Sequence, residues 1–292
     1  MSRTTSQGEG TVRQLCGVLG IARQAYYAAA RGHEPRPRDP LAERDGPWVS
    51  TARIVSAIQD VVRDRPAWGI RMVWASLRRR GLVVSRNRVA RLMKALGLVF
   101  PPPGEREVGA PRGHVATPDS NRRLATDLTT VWTRQDGLVA VVPVVDCGDR
   151  YALALDATKP QDAPAILAPV VTALEQSYGA PDAVPDGLEL RTDHGPQYTG
   201  VDCERLCDAW HLDHTLAPVG RPTGNAIAER FILTLKIELL WSRDWTSLAE
   251  LRSALAIWRN TYNHERPHQA LDYDTPAERR ARNLGASVEL AA

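Results

Sequence analysis

Apolar positions recur at two different periods along this chain, and the change of period divides it. Between 51 and 98 they fall at helical steps: Ile54, Val55, Ile58 and Val62, then Val73, Trp74 and Leu77, then Val89, Leu92, Met93 and Leu96. Three amphipathic helices are predicted there, the third with Ser85 as N-cap and Gly97 as stop. A shorter version occupies 11–31, with Val12, Leu15, Cys16 and Leu19 before Gly20 and with Ile21, Ala25 and Tyr26 after it. That spacing suits a helix-turn-helix or a plain helical hairpin. Beyond 119 the signal changes. Residues 122–132 are rich in Thr, Val and Trp, 138–145 are almost continuously apolar, and 151–155 follow the turn Asp146-Cys147-Gly148-Asp149. These predict an antiparallel three-strand meander. A helix over 162–178, a strand over 188–192 and a helix over 201–211 follow, and amphipathic helices over 224–240 and 248–262 complete the set. Strands first, then alternating helix and strand, make an α/β class.

Proline and glycine mark the joints. Pro35, Pro37, Pro40 and Pro47 read as a linker, and the PPPG stretch from Pro101 with the Gly and Pro residues after it reads as another. The expected organisation is 1–46 for the first helical segment with its linker, 47–100 for the helical module, 101–118 for the second linker, 119–285 for the α/β domain and 286–292 for a tail. With 292 residues and 43% apolar content the chain is long enough for one domain of ordinary size and one or two small modules. No apolar run approaches the roughly 18 residues of a membrane span, and MSRTTSQGEG is no secretory signal. A cytoplasmic protein without membrane contact is expected.

Charge separates the two parts more sharply than the net +3 suggests. Residues 1–118 hold 20 Lys and Arg against 9 Asp and Glu, and the remainder 17 against 25. A basic helical part beside an acidic α/β part fits modules that grip a phosphate backbone attached to a carboxylate site. Arg78, Arg79 and Arg80 end the second predicted helix, and Arg86, Arg88, Arg91 and Lys94 line the polar face of the third. That face suits a recognition helix or a merely solvated one.

Three acids stand where chemistry is expected. Asp127 lies in LATDLTTVW, Asp193 follows LELRT just before the turn-forming His194-Gly195-Pro196, and Glu229 lies on the helix GNAIAERFILTLKIELL. Thirty-five residues separate Asp193 from Glu229, and Lys236 follows Glu229 by seven, about two turns or ~10 Å along one stripe. With TDLTTVW, TDHGPQYTG, that helix and the tail YNHERPHQALDYDTPAE in fixed order, the chain resembles the OrfB-type transposases of bacterial insertion sequences, whose D,D(35)E core is like that of retroviral integrases. The resemblance runs from about Val12 to Arg282. It implies a ribonuclease-H-like mixed sheet flanked by helices, behind small helix-turn-helix-like modules.

It also implies a function. Asp127, Asp193 and Glu229 become the catalytic acids and the ligands of two Mg²⁺, with Mn²⁺ able to substitute, because hard divalent ions prefer oxygen donors and stabilise the extra charge of a pentavalent phosphorus. Water would expose a 3′-hydroxyl at the element's end, and that hydroxyl would attack another phosphodiester. The expected partners are double-stranded DNA of the terminal repeats and the target, further copies of the chain on DNA, and an OrfA-like partner or fusion; the expected location is the bacterial cytoplasm, at the nucleoid when DNA is bound. Lys236, Arg230, Asn225, Gln197 and Tyr198 are further DNA-contact candidates, each open to a structural role. Arg230 and the phrase GRPTGN depart from the family pattern.

Two other groups of residues have blander readings. Cys203, Cys207, His211 and His214 have zinc-like spacings, yet the first three fall in line on one helix face, from which a tetrahedron is awkward to close. They read as small buried cysteines with histidines at a helix end. Asp146, Asp149 and Asp156 are assigned to turns, and His264 and His268 to packing or capping. The four cysteines form no disulfide framework. A DNA-binding regulator with a disabled core is the rival to an active strand transferase, and a plain ribonuclease-H-type nuclease is disfavoured by the basic helical part.

Overall fold

The computed structural model describes residues 49–99, 119–217 and 225–285. The segments predicted over 11–31, the linkers over 33–47 and 101–118, the GRPTG part of the departing phrase and the tail from 286 lie outside them. The chain divides into two compact units, Met1–Ala52 and Arg53–Ala292, and the α/β fold belongs to the second.

The helical module has the three expected helices, α1 Thr51–Asp64, α2 Ile70–Arg79 and α3 Arg86–Ala95. The Ser85 side chain accepts from the Arg88 N–H, and Gly97 ends the segment at φ +67°, where a Cβ would be strained. Val73, Leu77, Val89, Leu92 and Met93 are buried between the helices.

The sheet has six strands: β1 Arg123–Thr126, β2 Thr129–Thr133, β3 Gly137–Asp146, β4 Ala152–Thr158, β5 Glu189–Thr192 and β6 Asp213–Leu216. β3 pairs antiparallel with β4 along one edge and with β1 and β2 along the other, and β5 and β6 extend the sheet in parallel from β1. An antiparallel meander continued by parallel strands is the ribonuclease-H-like order.

One expectation needs correction. Residues 122–132 form two strands in one register, Leu124 opposite Asp146 and Thr129 opposite Val141, with a gap at Asp127-Leu128. In that register Asp127 faces Pro143, which has no N–H for the ladder. The lapse leaves Asp127 at a free strand end.

β3 is apolar and buried from Val139 to Val145 because both of its faces are covered there. Ala140, Val142 and Val144 join one core with Ile166, Val170 and Leu174 of α4 (Ala163–Tyr178) and with Cys203 and Cys207 of α6 (Val201–Ala209); the short α5, Pro196–Thr199, precedes α6. Val139, Val141 and Val145 join the other core, with Phe231 and Leu235 of α7 (Ala226–Leu235) and Leu255, Trp258 and Tyr262 of α8 (Leu248–His264). Phe231 meets Tyr262 edge-on at 4.7 Å and Trp258 at 5.4 Å, which fixes α7 against α8. After α7 the chain widens into a π-helical turn, Lys236–Leu240.

The C-terminal part of the expected α/β domain is its anchor. Asn263 is buried and its amide bridges the N–H and C=O of Ala152 at 2.9 and 3.0 Å. The last helix, α9 Pro276–Asn283, starts with a capping box between Thr275 and Glu278. Its Arg280 reaches Asp146 and Asp149, both fully buried, at 3.2 and 3.0 Å. Asp149 does lie in the β3–β4 turn, whereas Asp146 ends β3 and Asp156 lies inside β4. Gly148 in that turn admits no side chain, since a Cβ would sit 2.2 Å from the Asp119 carbonyl oxygen.

The helical module packs on this anchor. Arg65 pairs with Glu265 at 2.9 Å, Arg71 donates to Gln269 at 2.8 Å, and Trp74 meets Tyr273 edge-on at 5.2 Å.

Candidate functional site

The parallel pairing of β1 with β5 decides where the first two acids stand. Leu124 is opposite Leu190 and Ala125 opposite Arg191, so the same offset brings Asp127 and Asp193 to neighbouring strand ends. Asp127 Oδ1 accepts from its own next N–H, Leu128, at 2.7 Å, and Asp193 Oδ1 accepts from Gly195 N–H at 2.9 Å. Each carboxylate thus keeps further lone pairs for an outside group.

Small residues let the helix that carries the third acid approach β1. Ala228 on α7 is fully buried against Ala125 of β1 and Cys147, and the absence of larger side chains lets helix and strand approach. Asn225 ties the helix start to the same strand, its Nδ2 donating to the Thr126 carbonyl at 3.0 Å. Glu229, one position after Ala228, is exposed. Lys236, two turns on, is half-buried, with its ammonium 5.9 Å from the Trp241 ring centroid.

Burial, and then the charges of Asp193 and Glu229, push the Asp127 carboxyl up to about 6, against the pull of the Leu128 N–H and of the Lys236 ammonium. The charges of Asp193 and Glu229 thus reach Asp127, and oxygen donors of this kind suit a hard divalent cation and not a soft one.

The other sequence candidates divide. Arg230 is exposed, and Gln197 on α5 is partly exposed and donates to the Gln161 carbonyl at 3.0 Å. Arg78, Arg80, Arg86, Arg91 and Lys94 are exposed and Arg88 is half-buried, with Arg78 5.3 Å from the Trp74 ring centroid. Three expectations are corrected. Arg79, although exposed, is engaged within the chain: its two terminal nitrogens donate to the two oxygens of Glu278 at 2.8 and 2.7 Å, a forked geometry that holds α2 to α9. Asn225 is 6% exposed and serves as the strand-to-helix clamp, not a surface contact.

Tyr198 is the third, at 1% exposure in the core beneath the acids. Its hydroxyl lies beside Thr126 Oγ1 with neither oxygen in an aligned hydrogen bond, and burial raises its pKa. The TDHGPQYTG phrase made Tyr198 look like loop; the helical turn of α5 rotates it inward. Tyr198→Phe is therefore expected to be neutral or stabilising by up to about 1 kcal/mol in chemical denaturation, since it removes an unpaired polar atom. A loss of DNA affinity without loss of stability would contradict this placement.

No sequence period announced the clamp of Asn225 or the pair Ala125 and Ala228. The only available signal was two small residues beside two of the acids.

Among the described residues no helix is long and apolar enough to cross a membrane. Models described as integrase core domain match residues 118–222 and 211–276, and one described as HTH-like domain matches 51–106. The transposase for insertion sequence element IS629 of Shigella sonnei is 30% identical over 280 residues, 91% of this chain and 90% of that protein. The transposase InsD for insertion element IS2A/D/F/H/I/K of Escherichia coli is 28% identical over 242 residues, 77% of each chain. Among solved structures, a chain of the simian T-cell lymphotropic virus intasome in complex with a PP2A regulatory subunit aligns at 17% identity and a TM-score of 0.48, over 75% of this chain and 76% of that one.

Proposed function

Because the chain belongs to the insertion-sequence transposases that carry an integrase core, we propose that Asp127, Asp193 and Glu229 are its catalytic acids and together hold two Mg²⁺, replaceable by Mn²⁺. The chain is a DDE transposase, an enzyme that cleaves nucleic acid and transfers strands. The observation that supports the site assignment is the β1–β5 register, which brings Asp127 and Asp193 to neighbouring strand ends; after burial, the charges of Asp193 and Glu229 also raise the Asp127 carboxyl.

Two reactions are assigned to this site. In cleavage the oxygen of water bonds to phosphorus as the bond to a 3′ oxygen breaks, which leaves a 3′-hydroxyl on the element's end. In transfer that hydroxyl bonds to the phosphorus of another phosphodiester and displaces its 3′ oxygen. The bound ions supply stabilisation of the added negative charge and activation of the attacking oxygen.

The chain's own groups set the conditions. Asp127 and Asp193 are fixed by strand ends and by the Leu128 and Gly195 N–H groups, so their free lone pairs are oriented before substrate arrives. Glu229 comes from a helix held by Asn225 and Phe231, and its exposure leaves it open to DNA. Lys236 lies near enough to Asp127 to stabilise its anion and offers its ammonium to a phosphate beside the acids. Arg230 and Gln197 border the same site, and Arg78, Arg80, Arg86, Arg88, Arg91 and Lys94 give the helical module a basic face for the DNA backbone. The substrates are the element's double-stranded terminal repeats and a target duplex. Work on two DNA ends calls for more than one copy of the chain, and an OrfA-like protein or fusion is the companion, all acting in the bacterial cytoplasm at the nucleoid.

The test is joining of a labelled terminal-repeat end to target DNA as a function of Mg²⁺ and pH. Joining should require Mg²⁺ or Mn²⁺ and stop with chelator. Asp127 binds a cation only when ionised, so the Mg²⁺ needed for half-maximal rate should be constant above about pH 7. It should rise by up to about tenfold per pH step below 6, as the Asp127 proton competes. A metal requirement that is flat from pH 5 to 8 would remove Asp127 from the metal site.

A further inference from the structure

The helical line of Cys203, Cys207 and His211 does not exist in three dimensions. α6 ends at Ala209, and His211 takes a left-handed conformation at φ +53°, which turns its ring toward exposed Asp182 at 4.0 Å. The chain then reverses, with the Leu212 N–H donating to the Cys207 carbonyl at 2.9 Å, and returns along β6. That return brings His214 back to the two thiols. Cys203 Sγ is 3.9 Å from His214 Nε2, and the donor atoms of Cys203, Cys207 and His214 all lie within 4.8 Å of one another.

We propose that Cys203, Cys207 and His214 form a binding site for a thiophilic cation of the zinc class, separate from the carboxylate site. Zinc bonds of about 2.3 Å to sulfur and 2.0–2.1 Å to nitrogen place tetrahedral donors about 3.5–3.8 Å apart, so the ion fits after side-chain shifts of no more than about 1 Å. Two sulfurs four residues apart on one helix face supply two corners, and a nitrogen from the adjoining strand supplies the third from another direction. That answers the objection to a tetrahedron raised by the linear spacing. A fourth position stays open for water.

His214 Nε2 must give up its 3.0 Å contact with Thr192 Oγ1 and present a bare lone pair to bind a cation, so metal loading releases any proton held there. Both cysteines are buried free thiols in an otherwise apolar core. A bound ion would fasten α6 to the edge strand β6 and to β5, the strand that ends at Asp193. The donor set also keeps the two metals apart, because sulfur and imidazole select zinc over magnesium while carboxylates do the reverse.

The experiment loads the reduced full-length chain, made without a histidine tag, with Co²⁺ and removes loose ion by gel filtration. One equivalent should remain, with thiolate-to-cobalt charge-transfer absorption that Zn²⁺ abolishes by displacement. His214→Gln, on a partly exposed edge strand where folding is tolerant, and Cys203→Ser should lose that absorption. His211→Ala should keep it, and so should Asp193→Asn, which separates this site from the carboxylate one. Wild-type chain that retains no cobalt with thiolate absorption overturns the proposal. So does a signal that survives His214→Gln or disappears in His211→Ala.

Discussion

Asp127→Asn is expected to raise the melting temperature of the metal-free chain while lowering DNA joining by roughly a thousandfold or more, about 4 kcal/mol in the barrier. Opposite signs arise because one carboxylate is charged, half-buried and beside two other acids. The folded state holds its pKa at about 6, against 3.8 for the free side chain. Above about pH 6 the group is ionised in both states and the fold carries the whole penalty. Between 6 and 3.8 the folded chain takes up the proton first and the penalty fades, and below 3.8 it is gone. The gap corresponds to at most about 3 kcal/mol, reduced to about 1–2 by solvent screening of the partly exposed group.

The stabilising effect of the amide should thus be full at pH 7.5 and lost near pH 4, read by calorimetry. Added Mg²⁺ should raise the melting temperature of the wild type and leave that of Asp127→Asn nearly unmoved. Glu229→Gln separates the two effects: Glu229 is exposed, so its amide should abolish joining without the stability gain. An Asp127→Asn chain that is destabilised at pH 7.5, or that still joins DNA, would mean that the acids do not share a site.

Arg280→Ala is expected to cost about 3–5 kcal/mol of stability near neutral pH, enough to unfold much of the core. Arg280 is the guanidinium that serves two fully buried carboxylates, Asp146 and Asp149. It also donates to Asn121 Oδ1 at 2.8 Å and lies 5.3 Å from the Tyr151 ring centroid. The remaining partners of the acids are the N–H groups of Asn121, Gly148 and Tyr151 and the Ser120 hydroxyl. Those polarise the carboxylates but bring no countercharge. Burial and Asp149 already hold Asp146 above the ordinary carboxylate range, and without Arg280 that displacement grows.

The sign of the pH effect follows from that displacement. The loss in Arg280→Ala should be greatest above pH 7 and should shrink as pH falls toward 5, where one carboxylate protonates. Asp146→Asn in the same chain should restore part of the loss at pH 7.5, as urea denaturation midpoints would show. A loss that is independent of pH would assign Arg280 to packing alone. The cluster links residue 120, the β3–β4 turn and α9, so the domain is closed by its C-terminal helix.

The sequence by itself was enough for the class of fold and the helices over 51–95, because these depend on local periodicity, capping and turn chemistry. Ser85, Gly97 and the apolar run of β3 are legible for that reason. It was also enough for the family, through phrases that keep their order along the chain. Only the tertiary structure decided which polar groups face inward. Tyr198 and Asn225 belong to types that are usually exposed and are buried, Asn225 held by a carbonyl 99 residues distant at Thr126, while the exposed Arg79 is tied to Glu278, 199 residues distant. The same holds for His211 and His214: their spacing from Cys207 is fixed in the chain, but one left-handed residue and a strand reversal determine which of them reaches the sulfurs. Local propensity acts over a few residues, whereas burial and charge depend on what the fold brings alongside, and that is not written at any single position.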